Sequence, residues 1–325
     1  VTVLLFSSVI TLSGFLANTV DVFELEPKQF LGIPIALAGA ILMSFGTQYQ
    51  SRGLNKVEVI TKKSAGSGLS LSHVFHLLAR PSWVIGTVML GLAVVLQLGA
   101  LSFSPLIVVQ PLGVVALVIT SILNARISGI EMSGALKTAI TLCVTGIVVF
   151  VSVAAFTTKD SPVRDIHIVV ILVIFAAVTA VLMFAYITLR YRAYAIFYIL
   201  GAGVLYAFVA TFAKTIIAKV QQGEWDPLMW LALVALVLGA VLGMLFVQNA
   251  HSSGPPDLVI AGLTVVDPLV AVLIGILVLG EAQHAPLWAI FVFIGAAMVA
   301  CLGVLGLAKF HPQVGKSALA EDDAD

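Results

Sequence analysis

The chain has 325 residues, 61% of them hydrophobic and only 10% charged, and its 16 basic and 16 acidic residues cancel to a formal net charge of zero. A soluble domain carries about 25% charged residues, so a mean hydropathy of +1.14 leaves a polytopic membrane protein as the class that fits. Zero net charge excludes the basic footprint of a nucleic-acid binder. Cys143 and Cys301 both fall in apolar stretches without zinc-type spacing and read as small hydrophobes.

Residues 1–20 are uncharged and about long enough to span a bilayer. They lack the basic start of a signal peptide, so a transmembrane helix is expected. Asp21, Glu24 and Glu26 make a short acidic loop. A second span is expected over residues 31–48, followed by a loop over 49–81. That loop holds Arg52, Lys56, Lys62, Lys63 and Arg80 against the single acid Glu58. Such basic excess places a loop in the cytoplasm. His73 and His76 in it have no third ligand and are weak grounds for a metal site.

No charge appears from Ser82 to Ala125, which is long enough for two helices. A break is expected near Phe103-Ser104-Pro105, because proline suits the first turn of a new helix. A fifth span is expected over 134–155, and the polar segment 157–165 is the natural midpoint. Five more spans follow at roughly 166–189, 193–218, 228–249, 257–279 and 286–308. Arg190 and Arg192, and later Lys309, His311 and Lys316, punctuate them. With alternating sides, ten spans put the basic clusters on one face, with both termini cytoplasmic. Five spans per half would insert the halves in opposite senses, the inverted-repeat plan of many transporters. Gln110-Pro111-Leu112 stands to Asp267-Pro268-Leu269 roughly as Cys143 and Gly146 stand to Cys301 and Gly303.

The stretch from Asn249-Ala250 through Asp267-Pro268 to Leu279-Gly280-Glu281 resembles the fourth-helix signature of the drug/metabolite transporter (DMT, EamA-like) superfamily. Pro111-Leu112-Gly113, the stretch 120–124 and Glu131 are similar to its NIPA-type magnesium-transporter branch. The resemblance covers about residues 31–310. It implies an all-α bundle of about ten transmembrane helices in two inverted five-helix repeats, at 31–160 and 161–312. Residues 1–30 would precede these repeats and an acidic cytoplasmic tail, 313–325, would follow them. It also implies a permease of the cytoplasmic (inner) membrane, monomer or homodimer, without cofactor. Its substrate would be a metabolite or drug, or alternatively Mg²⁺ or another divalent cation. Gln110 opposite Asp267 and the long basic loop depart from the pattern.

A transport site needs polar groups near mid-membrane, and few are available. An Asp at the bilayer centre costs about 2.5–3.5 kcal/mol on insertion scales. Asp267 is therefore the leading candidate to bind and release a proton or hold a cation. Pro268 and Pro111 each remove a helical hydrogen bond beside a polar residue. Gln97, Gln110, Gln248 and Asn249 offer neutral hydrogen-bonding groups. Tyr206 shares a helix with Lys214, which could snorkel to the interface, pair with Asp267 or meet an anionic substrate. Glu281 and Glu131 lie at helix ends, where a cap or gate contact is expected. No Walker-type run, nucleophile elbow or HExxH is present, so no enzyme is expected. A non-transporting scaffold is the reading from another class. It has little reason to hold an acid beside a proline at mid-membrane.

Overall fold

The computed structural model describes residues 27–61, 80–127, 133–160, 162–189, 195–253, 256–283 and 285–309. The expected first span at 1–20, the histidines at 73 and 76, Glu131, Arg190, Arg192 and the tail lie outside these residues. Among the described residues are nine helices and no strand. They are α1 (Pro27–Thr61), α2 (Pro81–Phe103), α3 (Leu106–Ile127), α4 (Gly134–Thr157), α5 (Asp165–Leu189), α6 (Ala195–Gln222), α7 (Pro227–Ser253), α8 (Pro256–Leu277) and α9 (Leu287–Lys309). All nine are long and apolar enough to cross a membrane, and the chain is a multi-pass membrane protein.

The helix ends follow local chemistry. Arg80 is extended and Pro81 opens α2, where a missing N–H costs nothing. Ser104 is also extended, its N–H bonding back to Ala100 O, and Pro105 then starts the turn that leads into α3. Ser133 Oγ accepts from Leu136 N at 3.2 Å to cap α4. Gly223, at φ 75°, closes α6 with Glu224 N donating to Lys219 O, a left-handed stop that favours glycine. Pro111 and Pro268 lie inside α3 and α8, as expected from the sequence.

One boundary differs. The loop expected from residue 49 is helical as far as Thr61, so α1 is 35 residues long. At 1.5 Å per residue this is about 50 Å, well beyond a hydrocarbon core of about 30 Å. Basic residues end a span, but they do not end a helix. Arg52 and Lys56 are good helix formers, and no proline interrupts residues 49–61.

The packing falls into matched sets. α1 packs on α2, and α6 on α7; α1 also packs on α3, and α6 on α8. α3 touches α4 as α8 touches α9. Three contacts join the halves directly: α3 with α8, α4 with α9, and, less extensively, α2 with α6. The α4–α9 crossing brings backbone against backbone, because each helix brings a glycine to it. A Cβ on Gly146 would lie 2.5 Å from Ala300 N, and one on Gly303 would lie 2.6 Å from Cys143 Cα. Gly146 and Gly303 stand as far apart in the chain as Cys143 and Ala300, and as Gln110 and Asp267. α5 is held to α6 through stacked rings, with Phe175 5.4 Å from Phe208 and 5.3 Å from Phe212 between centroids.

Candidate functional site

Asp267 lies on α8, one residue before the proline that interrupts its helix. The side chain is half-buried overall, yet its Oδ1 is sealed from the surface and has no hydrogen-bond partner among the described residues. Buried polar atoms are nearly always paired, so an orphaned carboxylate oxygen inside a span is exceptional. α6 approaches closely here because Gly203 has no side chain; a Cβ on it would lie 3.3 Å from Asp267 N. Tyr206, one turn on along α6, is within electrostatic reach of Asp267. Its ring is backed by α7 at Gly243, where an added Cβ would stand 2.9 Å from it.

A cavity of ≈ 50 Å³ lies between α3, α4, α8 and α9, lined by Pro111, Phe150, Pro268, Val272, Ala297 and neighbouring apolar side chains. Both helix-breaking prolines face it, but Asp267 does not. Lining residues Thr264, Val265, Pro268 and Val272 share one face of α8, and Asp267 is turned from that face toward α6. The cavity is therefore an apolar void at the two helix breaks, and the polar site lies on the other side of α8. Gln110 is half-buried beside Pro111.

Three of the expected site residues lie elsewhere. Gln97 is half-buried at the contact of α2 with α1, where a Cβ on Gly39 would stand 3.7 Å from its N. Gln248 is exposed on α7, and Asn249 Nδ2 donates to Leu245 O of its own helix at 2.7 Å. Lys214 neither snorkels nor pairs with Asp267. It is 3% exposed and turns inward. Its Nζ donates to Leu101 O at 2.9 Å, Ser104 O at 3.0 Å and Asp160 Oδ2 at 3.0 Å.

Glu281 belongs to the same knot. It is 2% exposed, in the turn between α8 and α9. Its Oε1 accepts from Leu106 N at 2.8 Å and its Oε2 from Ile107 N at 2.9 Å. A carboxylate thus caps the first turn of α3, where unpaired amides and the helix dipole favour negative charge. Burial outweighs the pull of nearby Lys214 and the two amides, and its carboxyl stays raised, at about 7. Lys159 N bonds Glu281 O at 3.2 Å, closing the ring of contacts.

A second cluster sits at the same end of the bundle. Lys219, 1% exposed, lies among Asp165, Glu224 and Asp226, with Asp226 Oδ2 3.0 Å from Nζ. The three carboxylates are close enough together to surround an ion, and the ammonium already fills that place. Asp226 also accepts from Met229 N at 2.8 Å, capping α7; this bond and Lys219 hold its carboxyl below the usual range. Sequence reading missed Asp160 and the Lys219 cluster. Their only signal was that isolated lysines near the end of an apolar helix must find acids, and the polar links 157–165 and 223–226 carry the nearest ones.

No family model matches the chain, and no solved structure matches it significantly. The chain is 28% identical over 265 residues to an uncharacterised protein of Corynebacterium glutamicum, a match covering 80% of this chain and 89% of that one. It is similar to that protein along most of the nine-helix bundle.

Proposed function

We propose that the chain is a secondary active transporter of a small molecule in the cytoplasmic membrane, of the drug/metabolite transporter type, coupled to protons or to the membrane potential. One observation carries the reading. Asp267 holds an enclosed oxygen inside a span, unpartnered among the described residues, next to the break at Pro268. Intramembrane acids are expensive and mark ion and substrate paths far more often than packing. The matched helix contacts, with α3 meeting α8 and α4 meeting α9, support two inverted repeats related across those pairs. Transporters of that plan bind near mid-membrane at interrupted helices, which supports a site at Gln110 and Asp267, beside the breaks in α3 and α8, with Tyr206 near Asp267 on α6.

A thermal-shift screen of the purified protein against amino acids, organic cations and divalent cations will supply the ligand, since a ligand of the native state raises apparent stability. That ligand is then followed into proteoliposomes under an imposed pH gradient. Asp267→Asn, nearly isosteric and neutral, should fold, lose gradient-driven uptake and keep part of its counterflow exchange. Full gradient-driven uptake by this variant would end the coupling role of Asp267.

A further inference from the structure

We infer that Lys214, Glu281 and Asp160 form a charge latch that keeps one end of the transport path closed, and that the opposite end has no equivalent charge at the corresponding position. The inference rests on the transport reading and adds a gate to it.

The latch is built across the two halves. Lys214 and Glu281 belong to the second half, and apart from Asp160, in the link between the halves, the groups they hold belong to the first: Leu101 O, Ser104 O, and the amides of Leu106 and Ile107. Gln221 Nε2 adds a further tie to Ser102 O at 3.0 Å. These bonds gather where α2 ends and α3 begins, at the break made by Ser104 and Pro105. Glu281 follows the end of α8, and the amides it caps open α3. The latch therefore pins together the ends of the two helices that carry Pro111 and Pro268. α3 cannot swing from α8 at this end unless the carboxylate leaves both amides. Near-complete burial of Lys214 and Glu281 keeps water from replacing those partners while the latch is shut.

The other end is built differently. Asn124 stands to Glu281 as Gln110 stands to Asp267 in the chain. It carries no charge, and its Oδ1 accepts from Gln48 Nε2, a residue of its own half. A neutral amide at this position resists separation of the halves less than a buried carboxylate bonded to two amides of the other half.

The test needs no substrate. In a background with Cys143 and Cys301 replaced by Ala, one reporter is Thr215→Cys, buried beside Lys214; the other is Ser121→Cys, buried toward the Asn124 end. Labelling by a charged thiosulfonate is timed in nanodiscs, where both faces are accessible. Glu281→Gln should speed labelling at position 215 at least tenfold and slow it at position 121. Asp160→Asn should do the same to a smaller degree, and Asp160 is exposed enough to be replaced without loss of folding. Unchanged labelling at 215 in either folded variant would overturn the latch. Faster labelling at both positions would overturn it too, because that is general loosening. Because substrate plays no part, failure here leaves the Asp267 uptake test standing, and failure there leaves the labelling result standing.

Discussion

The α4–α9 crossing makes the most quantitative demand on the structure. An alanine at position 146 would place its Cβ 2.5 Å from Ala300 N and 2.7 Å from Ala296 O, both backbone atoms that no side-chain rotation can move aside. Non-bonded heavy atoms need about 3.5 Å, so α9 must retreat by about 1 Å along the seam. Forced overpacking of this kind costs about 1–3 kcal/mol. Gly303→Ala meets Cys143 in the same way from the other side and should cost about as much. The two substitutions press on one seam. The first opens space for the second, so the double variant should lose less than the sum, with a coupling of about 0.5–3 kcal/mol. Gly295→Ala is the control on the same helix. Nothing lies within 4 Å of its added methyl, and it should be neutral or stabilising by up to about 1 kcal/mol. Thermal unfolding in a fixed detergent, followed by loss of the monodisperse peak, ranks the four proteins. If Gly146→Ala and Gly303→Ala melt with Gly295→Ala, the backbones do not touch there and the seam is wrong.

Two further outcomes follow from the ends of the bundle. Asp226, a capping acid whose pKa is lowered, contributes stability that is whole at neutral pH and lost as pH falls through its folded value. Asp226→Asn should therefore lower the melting temperature at pH 7, with the gap closing as pH falls below the ordinary aspartate value of about 3.9; a gap that persists in strong acid would mean the charge is not the cause. The second outcome is topological. Lys137 and the basic helix ends at Arg126 and Lys309 should face the cytoplasm and the α6–α7 turn should face outward. Single cysteines at Lys137 and at the exposed Trp225 should then label from outside intact cells only at 225. External labelling at 137 would reverse the orientation.

The spans were legible because membrane crossing is written locally. Long charge-free runs end at Arg, Lys, Asp or Pro, and the break at Ser104-Pro105 needs only those two residues. Helix ends were less legible. α1 continues to Thr61 because lipid selects for apolar side chains, while the backbone bonds of a helix persist in water. Asp267 and the two prolines stood out for a similar reason, since a polar group or a missing hydrogen bond is costly wherever the rest of the span packs. The partners of Lys214 did not stand out. Two are backbone carbonyls at a helix break, and the third is an acid in a link between halves; carbonyls have no residue type to be read. Glu281 was readable as a helix-end residue, but the helix it caps is α3, and only the contact of α3 with α8 brings that end within reach.

The distribution of stiffness in the bundle has a physical order. α4 and α9 meet backbone to backbone at Gly146 and Gly303, where no side chain is present to absorb a shift. α1 with α2, and α6 with α7, form the other two well-packed pairs. α3 and α8 lie between the seam and these pairs, and each lacks an internal hydrogen bond at its proline. Kinks in long helices form where such bonds are missing. The cavity faces both prolines, so open space lies beside the missing hydrogen bonds of α3 and α8. On the transport reading, bending belongs to α3 and α8, pivoting on the fixed α4–α9 seam. Asp267 sits beside one of those bends on the side away from the seam. A change in what its free oxygen holds would act directly on the part of the bundle least able to resist it. On the same reading Glu281 and Lys214 would oppose that motion at one end, where a single carboxylate bonds two amides of α3.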